Sequence, residues 1–159
     1  MTVAYVGLGA NIGEPRRQLQ AALEDLRHIP DSQLVANSSF YRSAPIGYVD
    51  QPDFLNAVAA LETALEPEAL LDSLQDIENR HGRTRSFQGA PRTLDLDLLL
   101  YGDRTLASPR LTLPHPRMHE RAFVLKPLVE LAPEAAIPGK GKARNLLQDC
   151  AGQTVERID

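Results

Sequence analysis

In Gly89-Ala90-Pro91-Arg92-Thr93-Leu94-Asp95-Leu96-Asp97-Leu98-Leu99-Leu100-Tyr101, leucine occupies every even position from Leu94 to Leu100, and the odd positions hold Asp95, Asp97 and Leu99. A repeat of two is the signature of a β-strand, whose successive side chains point to opposite faces. Asp95 and Asp97 therefore share one face, roughly 7 Å apart along the backbone, and the leucines cover the other. The apolar flanks predict an interior strand, where two like charges side by side are costly unless compensated. A divalent cation compensates them most simply: Mg²⁺ takes one or two protein carboxylates and leaves its other positions to water and phosphate oxygens. A solvated sheet face with the acids paired to arginines is the other reading, and the Asp-x-Asp alone does not separate the two.

The surrounding chemistry favours the anion site. The chain has 159 residues, a net charge of −4 and 17 basic residues, of which all but Lys126, Lys140 and Lys142 are arginine. Arg80, Arg83, Arg85, Arg92, Arg104, Arg110, Arg117 and Arg121 crowd one quarter of it. Arginine is the residue for bidentate phosphate contacts. A basic segment in an acidic protein fits a small polyanion better than a long nucleic acid held by its backbone charge. The single Cys150 excludes an internal disulfide and a cysteine metal cluster, and fits a reducing compartment. No signal peptide precedes the first strand and no run is long enough to span a bilayer. The expectation is one cytoplasmic domain over 1–159, monomeric, without membrane or nucleic-acid partners.

Outward from that run, Thr2 to Leu8 reads as a strand leading into Gly7-Leu8-Gly9-Ala10-Asn11-Ile12-Gly13. That spacing is neither a dinucleotide fingerprint nor a Walker loop, so the glycines read as turn formers. Pro15 opens a helix with Leu19, Ala22, Leu23 and Leu26 inward, which Pro30-Asp31 ends. Gln33 to Ser43 reads as a second strand, Ser43 to Asp53 as a binding loop, and Phe54 to Thr63 as a third strand. Phe54 and Asn56, two apart at that strand's start, could stack on and hydrogen-bond a flat heterocycle. Pro67 starts a second helix with Leu70, Leu71, Leu74 and Ile77 inward; Gln75 and Glu78 share its flank and Gly82 stops it. The segment from Gly82 to Gly89 carries Arg83, Arg85 and Phe87 without periodicity, as a lid would. Beyond the acidic strand come an extended piece from Thr105 to Leu113, His115 fixed between Pro114 and Pro116, and a helix from Ala122 to Leu131 interrupted at Pro127. The tail offers a short helix around Leu146 to Cys150 and an extended end. The order β-α-β-β-α-β predicts an α+β, ferredoxin-like sandwich: a mainly antiparallel sheet flanked by helices.

The run at 89–102 resembles the signature of the 6-hydroxymethyl-7,8-dihydropterin pyrophosphokinase family. So do the stretch from Val6 to Gly13, Ser39-Phe40-Tyr41-Arg42-Ser43, Gln51-Pro52-Asp53-Phe54-Leu55-Asn56-Ala57, Leu113-Pro114-His115-Pro116 and Arg121-Ala122-Phe123. The resemblance implies transfer of pyrophosphate from ATP to the pterin hydroxymethyl group, giving AMP, in folate biosynthesis. It implies that Asp95 and Asp97 hold two Mg²⁺ ions and that Arg83 and Arg92 serve the chemistry. Gln75, Glu78, Arg85, Arg92, Arg110, Thr112, His115 and Arg121 would contact ATP. Phe54 and Phe123 would sandwich the pterin, with Ser43, Ala44, Ile46 and Asn56 reading its edge. No strong general base is implied; a metal-polarised hydroxyl relayed by Asp97 suffices. Family members carry a tryptophan in the loop before Pro91-Arg92-Thr93, whereas this chain has none, and its loop is a residue shorter. Two rivals remain: another Mg²⁺-dependent phosphotransferase with a different acceptor, and a non-catalytic ferredoxin-like RNA binder, which would need aromatics where this sheet face has aspartates.

Overall fold

A computed structural model of the chain describes residues 1–45, 50–82 and 94–158. In chain order the elements are β1 (Thr2–Ala10), α1 (Pro15–Leu26), β2 (Ser32–Asn37), β3 (Phe40–Ser43), β4 (Phe54–Thr63), α2 (Pro67–Arg80) and β5 (Asp95–Tyr101). There follow β6 (Leu106–Ala107), β7 (Thr112–Leu113), a 3-10 turn (Met118–Glu120), α3 (Ala122–Leu131), β8 (Ala136–Ile137), β9 (Gly141–Lys142), α4 (Ala143–Gln148) and β10 (Val155–Ile158). The main sheet runs β10-β3-β4-β1-β5, with β2 also on β4, and every neighbouring pair is antiparallel. Counting β2 and β3 as one broken strand gives the expected β-α-β-β-α-β sandwich, extended at one edge by β10.

Alternation along the strands divides the apolar residues between two cores. Ala4, Val6, Leu8 and Ala10 of β1, Ala59 and Leu61 of β4, and Leu94, Leu96 and Leu98 pack under α1 and α2. On the opposite face Val58, Leu99 and Leu100 pack under α3 and α4, against Met118, Leu125 and Leu128. Both sheet-covering helices of the first core begin with proline at the first helical position, where the missing N–H has no partner to lose.

Several expectations change on contact with the backbone. The acidic strand β5 is not interior: it ends the sheet and pairs only with β1 among the described strands. Its outer edge is covered instead, as the Glu78 carboxylate accepts the Leu96 N–H at 2.7 Å and the His115 N–H donates to the Leu99 carbonyl at 2.9 Å. Its alternation also breaks. Between Val6↔Leu98 and Tyr5↔Leu100 the register slips, so Leu100 joins the aspartate face and Tyr101 returns to the first core. The second strand splits at Ser38-Ser39, because the Ser38 hydroxyl takes the Val58 N–H at 2.9 Å in place of a ladder carbonyl. Gly7 and Gly9 lie within β1, not in a turn; Gly13, at φ 71°, makes the turn. The piece from Thr105 to Leu113 is the β6–β7 hairpin. α3 runs unbroken through Pro127, α4 begins earlier than expected at Ala143, and the extended end adds β10 to the main sheet.

One carboxylate fastens α3 to β3. Glu130 accepts the Tyr41 hydroxyl at 2.6 Å, the Ser39 hydroxyl at 3.1 Å and the Ser39 N–H at 3.0 Å. Burial and then Glu130 itself push the Tyr41 hydroxyl up to about 12, so it stays a donor throughout the working range. Tyr41→Phe is expected to cost about 1 kcal/mol, the worth of one such bond to a partner that water can reach. A denaturant midpoint unchanged from the parent chain would contradict that assignment.

Candidate functional site

The register sets the site across one face of the sheet. Asp95 lies opposite Gly9, which lies opposite Asn56; Asp97 lies opposite Gly7, which lies opposite Val58. An acidic strand and a strand bearing an amide and an aromatic ring thus flank the stretch of β1 where Gly7 and Gly9 put no side chain on this face. With strands about 4.8 Å apart, β5 and β4 are separated by about 10 Å of bare backbone. A Cβ built on Gly9 would lie 3.4 Å from Asn56 Oδ1 and 3.9 Å from Phe54 Cδ1. Glycine here keeps a trough open rather than bending the chain.

Along one wall of the trough, Asn56 is buried and donates from Nδ2 to the Ser43 hydroxyl at 2.7 Å. Ala44 follows at the exposed end of β3. Asn11, buried where β1 ends, donates to Gln51 Oε1 at 2.7 Å and to the Pro52 carbonyl at 3.0 Å. It holds the approach to Phe54, a role the sequence reading missed, although a buried amide after Gly-x-Gly was its only signal.

Along the other wall, burial raises the Asp97 carboxyl well above the usual carboxylate range, Asp95 and then Glu78 raise it further, and Arg121 opposes them. The two aspartates hydrogen-bond each other, so their carboxyl groups converge although their backbones are two residues apart. Glu78 is buried with its Oε2 on β5 itself. His115 is lowered to about 4, first by burial and next by Arg121. Its Nδ1 accepts the Arg117 N–H at 3.1 Å, which leaves Nε2 as the donor of a neutral ring. Arg121 stands over the Phe123 ring at 5.5 Å from its centroid, and Phe123 packs against the second core at the start of α3.

Asp95, Asp97, Glu78, His115, Arg121 and Phe123 are therefore gathered at one end of the trough, with Phe54, Asn56 and Ser43 across it. Further out, Arg110 reaches from between β6 and β7 to α2, ion-paired with Asp72 and donating to Gln75 Oε1 at 3.3 Å. Thr112 is exposed on β7 beside it in sequence. Arg83, Arg85, Arg92 and Ile46 lie outside the described residues. An all-oxygen pair of converging carboxylates suits a hard divalent cation. Among the described residues no group of three or more His, Cys, Asp or Glu forms a metal cage, and Mg²⁺ needs none when a substrate's phosphates complete its shell.

Fold and site together define a class: an α+β domain that gathers two converging carboxylates, a buried glutamate, His115 and Arg121 at one end of an open trough. The profile of the 7,8-dihydro-6-hydroxymethylpterin-pyrophosphokinase (HPPK) family matches residues 5–133. The chain is 50% identical over 154 residues to the 2-amino-4-hydroxy-6-hydroxymethyldihydropteridine pyrophosphokinase of Pseudomonas aeruginosa, covering 97% of this chain and 95% of that one. It is 45% identical over 159 residues to the enzyme of the same name from Haemophilus influenzae, covering 100% and 99% respectively. Among solved structures, an HPPK-DHPS chain in complex with substrates superposes with a TM-score of 0.73 at 11% identity, over 93% of this chain and 43% of that one. Wild-type Plasmodium falciparum HPPK-DHPS gives 0.72 at 13%, over 93% and 44%. These two likenesses bear on the fold, and the chain spans less than half of either solved chain. The chain belongs to the HPPK family. It is accordingly a diphosphotransferase, moving pyrophosphate to 6-hydroxymethyl-7,8-dihydropterin in folate biosynthesis. Among the described residues no helix is long and apolar enough to cross a membrane.

Proposed function

We propose that the chain uses ATP and two Mg²⁺ ions, that Asp95 and Asp97 hold those ions, and that the products are the pterin diphosphate and AMP. The converging, mutually repelling carboxylates of Asp95 and Asp97 carry this reading, because a divalent cation relieves both at once. When bound, Mg²⁺ neutralises the triphosphate and polarises it for in-line displacement. The chain's own residues do the rest. Arg121 supplies positive charge beside Asp97 and neutral His115 donates from Nε2, while Arg110, Gln75, Thr112 and Glu78 line the nucleotide side. Arg83, Arg85 and Arg92 complete the phosphate contacts by family resemblance. Phe54 and Phe123 stack on the pterin, each worth about 1 kcal/mol beyond burial. Asn56 reads its edge, its amide held by Ser43, with Ala44 and Ile46 offering main-chain groups.

In the transfer, the hydroxymethyl oxygen bonds to the β-phosphorus of ATP and the bond from that phosphorus to the α–β bridging oxygen breaks, so AMP leaves. Asp97 relays the hydroxyl proton. The chain acts as a monomer and as one domain over 1–159. It works in the cytoplasm, where ATP is supplied and the single free Cys150 stays reduced.

The test is a nucleotide product assay with Mg²⁺, with and without 6-hydroxymethyl-7,8-dihydropterin. AMP formed only when the pterin is present is the expected result. ADP as the product would assign the same acid pair to a different phosphotransferase.

A further inference from the structure

Arg121 sits at a junction. It follows a 3-10 turn and precedes α3, its own backbone is extended (φ −117°, ψ 107°), and no side chain of its own segment caps the helix. Its N–H makes only a long bond, 3.3 Å, to the Met118 carbonyl. Its carbonyl accepts the Val124 and Leu125 N–H groups at 3.0 Å each, so the helix holds the peptide plane after its Cα from one side. A side chain from the far end of the chain adds a bond to that plane and another to the plane before it. Gln153 Nε2 donates to the Glu120 carbonyl at 2.7 Å, and Gln153 Oε1 accepts the Ala122 N–H at 3.0 Å. The first group belongs to the peptide plane before the Arg121 Cα, the second to the plane after it. Holding both planes fixes φ and ψ of Arg121 and thereby the direction in which its side chain leaves the backbone.

Gln153 is itself held in place. Two residues on, Val155 pairs with Ser43 in the β10–β3 ladder, and its carbonyl accepts Lys126 Nζ from α3 at 2.8 Å. The tail therefore joins the strand end that orients Asn56 to the turn that carries Arg121 and Phe123. Residue 153 lies beyond the segment that the family profile matches, which ends at 133. The bond to Glu120 is exposed and that to Ala122 partly buried, so water can replace the first readily and the second at a modest cost in stability, whereas it cannot replace the geometric constraint.

We infer that Gln153 is a positioning residue for the pyrophosphoryl transfer: its amide clamps the two peptide groups flanking Arg121 and so aims that guanidinium at the phosphates. The inference rests on the function proposed above. Its test is Gln153→Met, which keeps the length of the side chain and removes both bonds. Arg144→Ala, in the same tail but bonded only to Glu134 among the described contacts, serves as a control.

With both substrates saturating, kcat of Gln153→Met is expected to fall about tenfold, the size of effect a modest misplacement of a charge-bearing group produces. The melting temperature should shift by less than about 4 °C. Amide exchange at Ala122 should quicken about tenfold while that at Val155 is unchanged. Arg144→Ala should match the parent chain throughout. A kcat within twofold of the parent, a fall explained by a comparable loss in melting temperature, or unchanged exchange at Ala122 would each overturn the inference. No pterin-dependent AMP from the parent chain would instead sink the functional reading, and this inference with it.

Discussion

Asp97→Asn is expected to lower kcat by about 10³-fold or more while leaving the metal-free protein more stable than the parent. The catalytic loss follows from removing one of two anionic oxygens donors from a cation that contributes several kcal/mol to transition-state stabilisation. The gain in stability follows from the sign of the shift. Burial, Asp95 and Glu78 hold the Asp97 carboxyl well above its usual range. Above the ordinary carboxylate range the folded chain therefore keeps a proton that the unfolded chain has released. Stability falls as pH rises through that window. Asparagine cannot lose that proton, so the variant's melting temperature without Mg²⁺ should exceed the parent's at neutral pH and should vary less with pH there. Added Mg²⁺ should narrow or reverse the difference by stabilising only the parent. A variant that melts lower than the metal-free parent, or that turns over at a rate near the parent's, would remove Asp97 from the role given to it.

Gly9→Val should raise the KM for the pterin about 30- to 100-fold, matching the 2–3 kcal/mol by which overfilling a fitted space is penalised. The new side chain has nowhere to go except the trough: its Cβ already stands 3.4 Å from Asn56 Oδ1 and 3.9 Å from Phe54 Cδ1. ATP binding in the absence of pterin should change little, since the acid pair lies on the next strand. Gly7 offers the comparison, because a Cβ there meets the Leu99 side chain at 3.4 Å rather than the trough. Gly7→Val should therefore lower the melting temperature more than Gly9→Val does, with a smaller effect on the pterin KM. Equal effects of the two substitutions on that KM would mean the trough is not where the ring binds.

The sequence carried the acid pair, the bounds of β4 and the inward faces of both early helices, because each is written in a period that covers several residues. What escaped it had no period to read. Three leucines in succession, Leu98 to Leu100, conceal the phase of the strand, so the slip beside Leu99 left no trace. Gly-x-Gly reads equally as a turn or as a close approach, and only the neighbouring strand decides which. The extended end was legible, but nothing in its four residues says that β10 pairs with β3. Glu78 was legible in part: four residues after Leu74 it falls on the buried side of α2, which a carboxylate occupies only with a partner. The partner, a backbone amide of β5, comes from a contact between elements, and spacing within one helix says nothing about that.

The slip in β5 makes that strand answer to two masters. Upstream of it, side-chain parity is dictated by the acids' need to face the trough; downstream, by Tyr101, whose hydroxyl reaches the Leu65 carbonyl at 2.5 Å on the other side of the sheet. Deleting any one of the three leucines would iron the strand flat and still meet both demands, because the slip only absorbs one residue too many between Asp97 and Tyr101. A full-length strand with no slip would instead turn Tyr101 onto the face of the two acids.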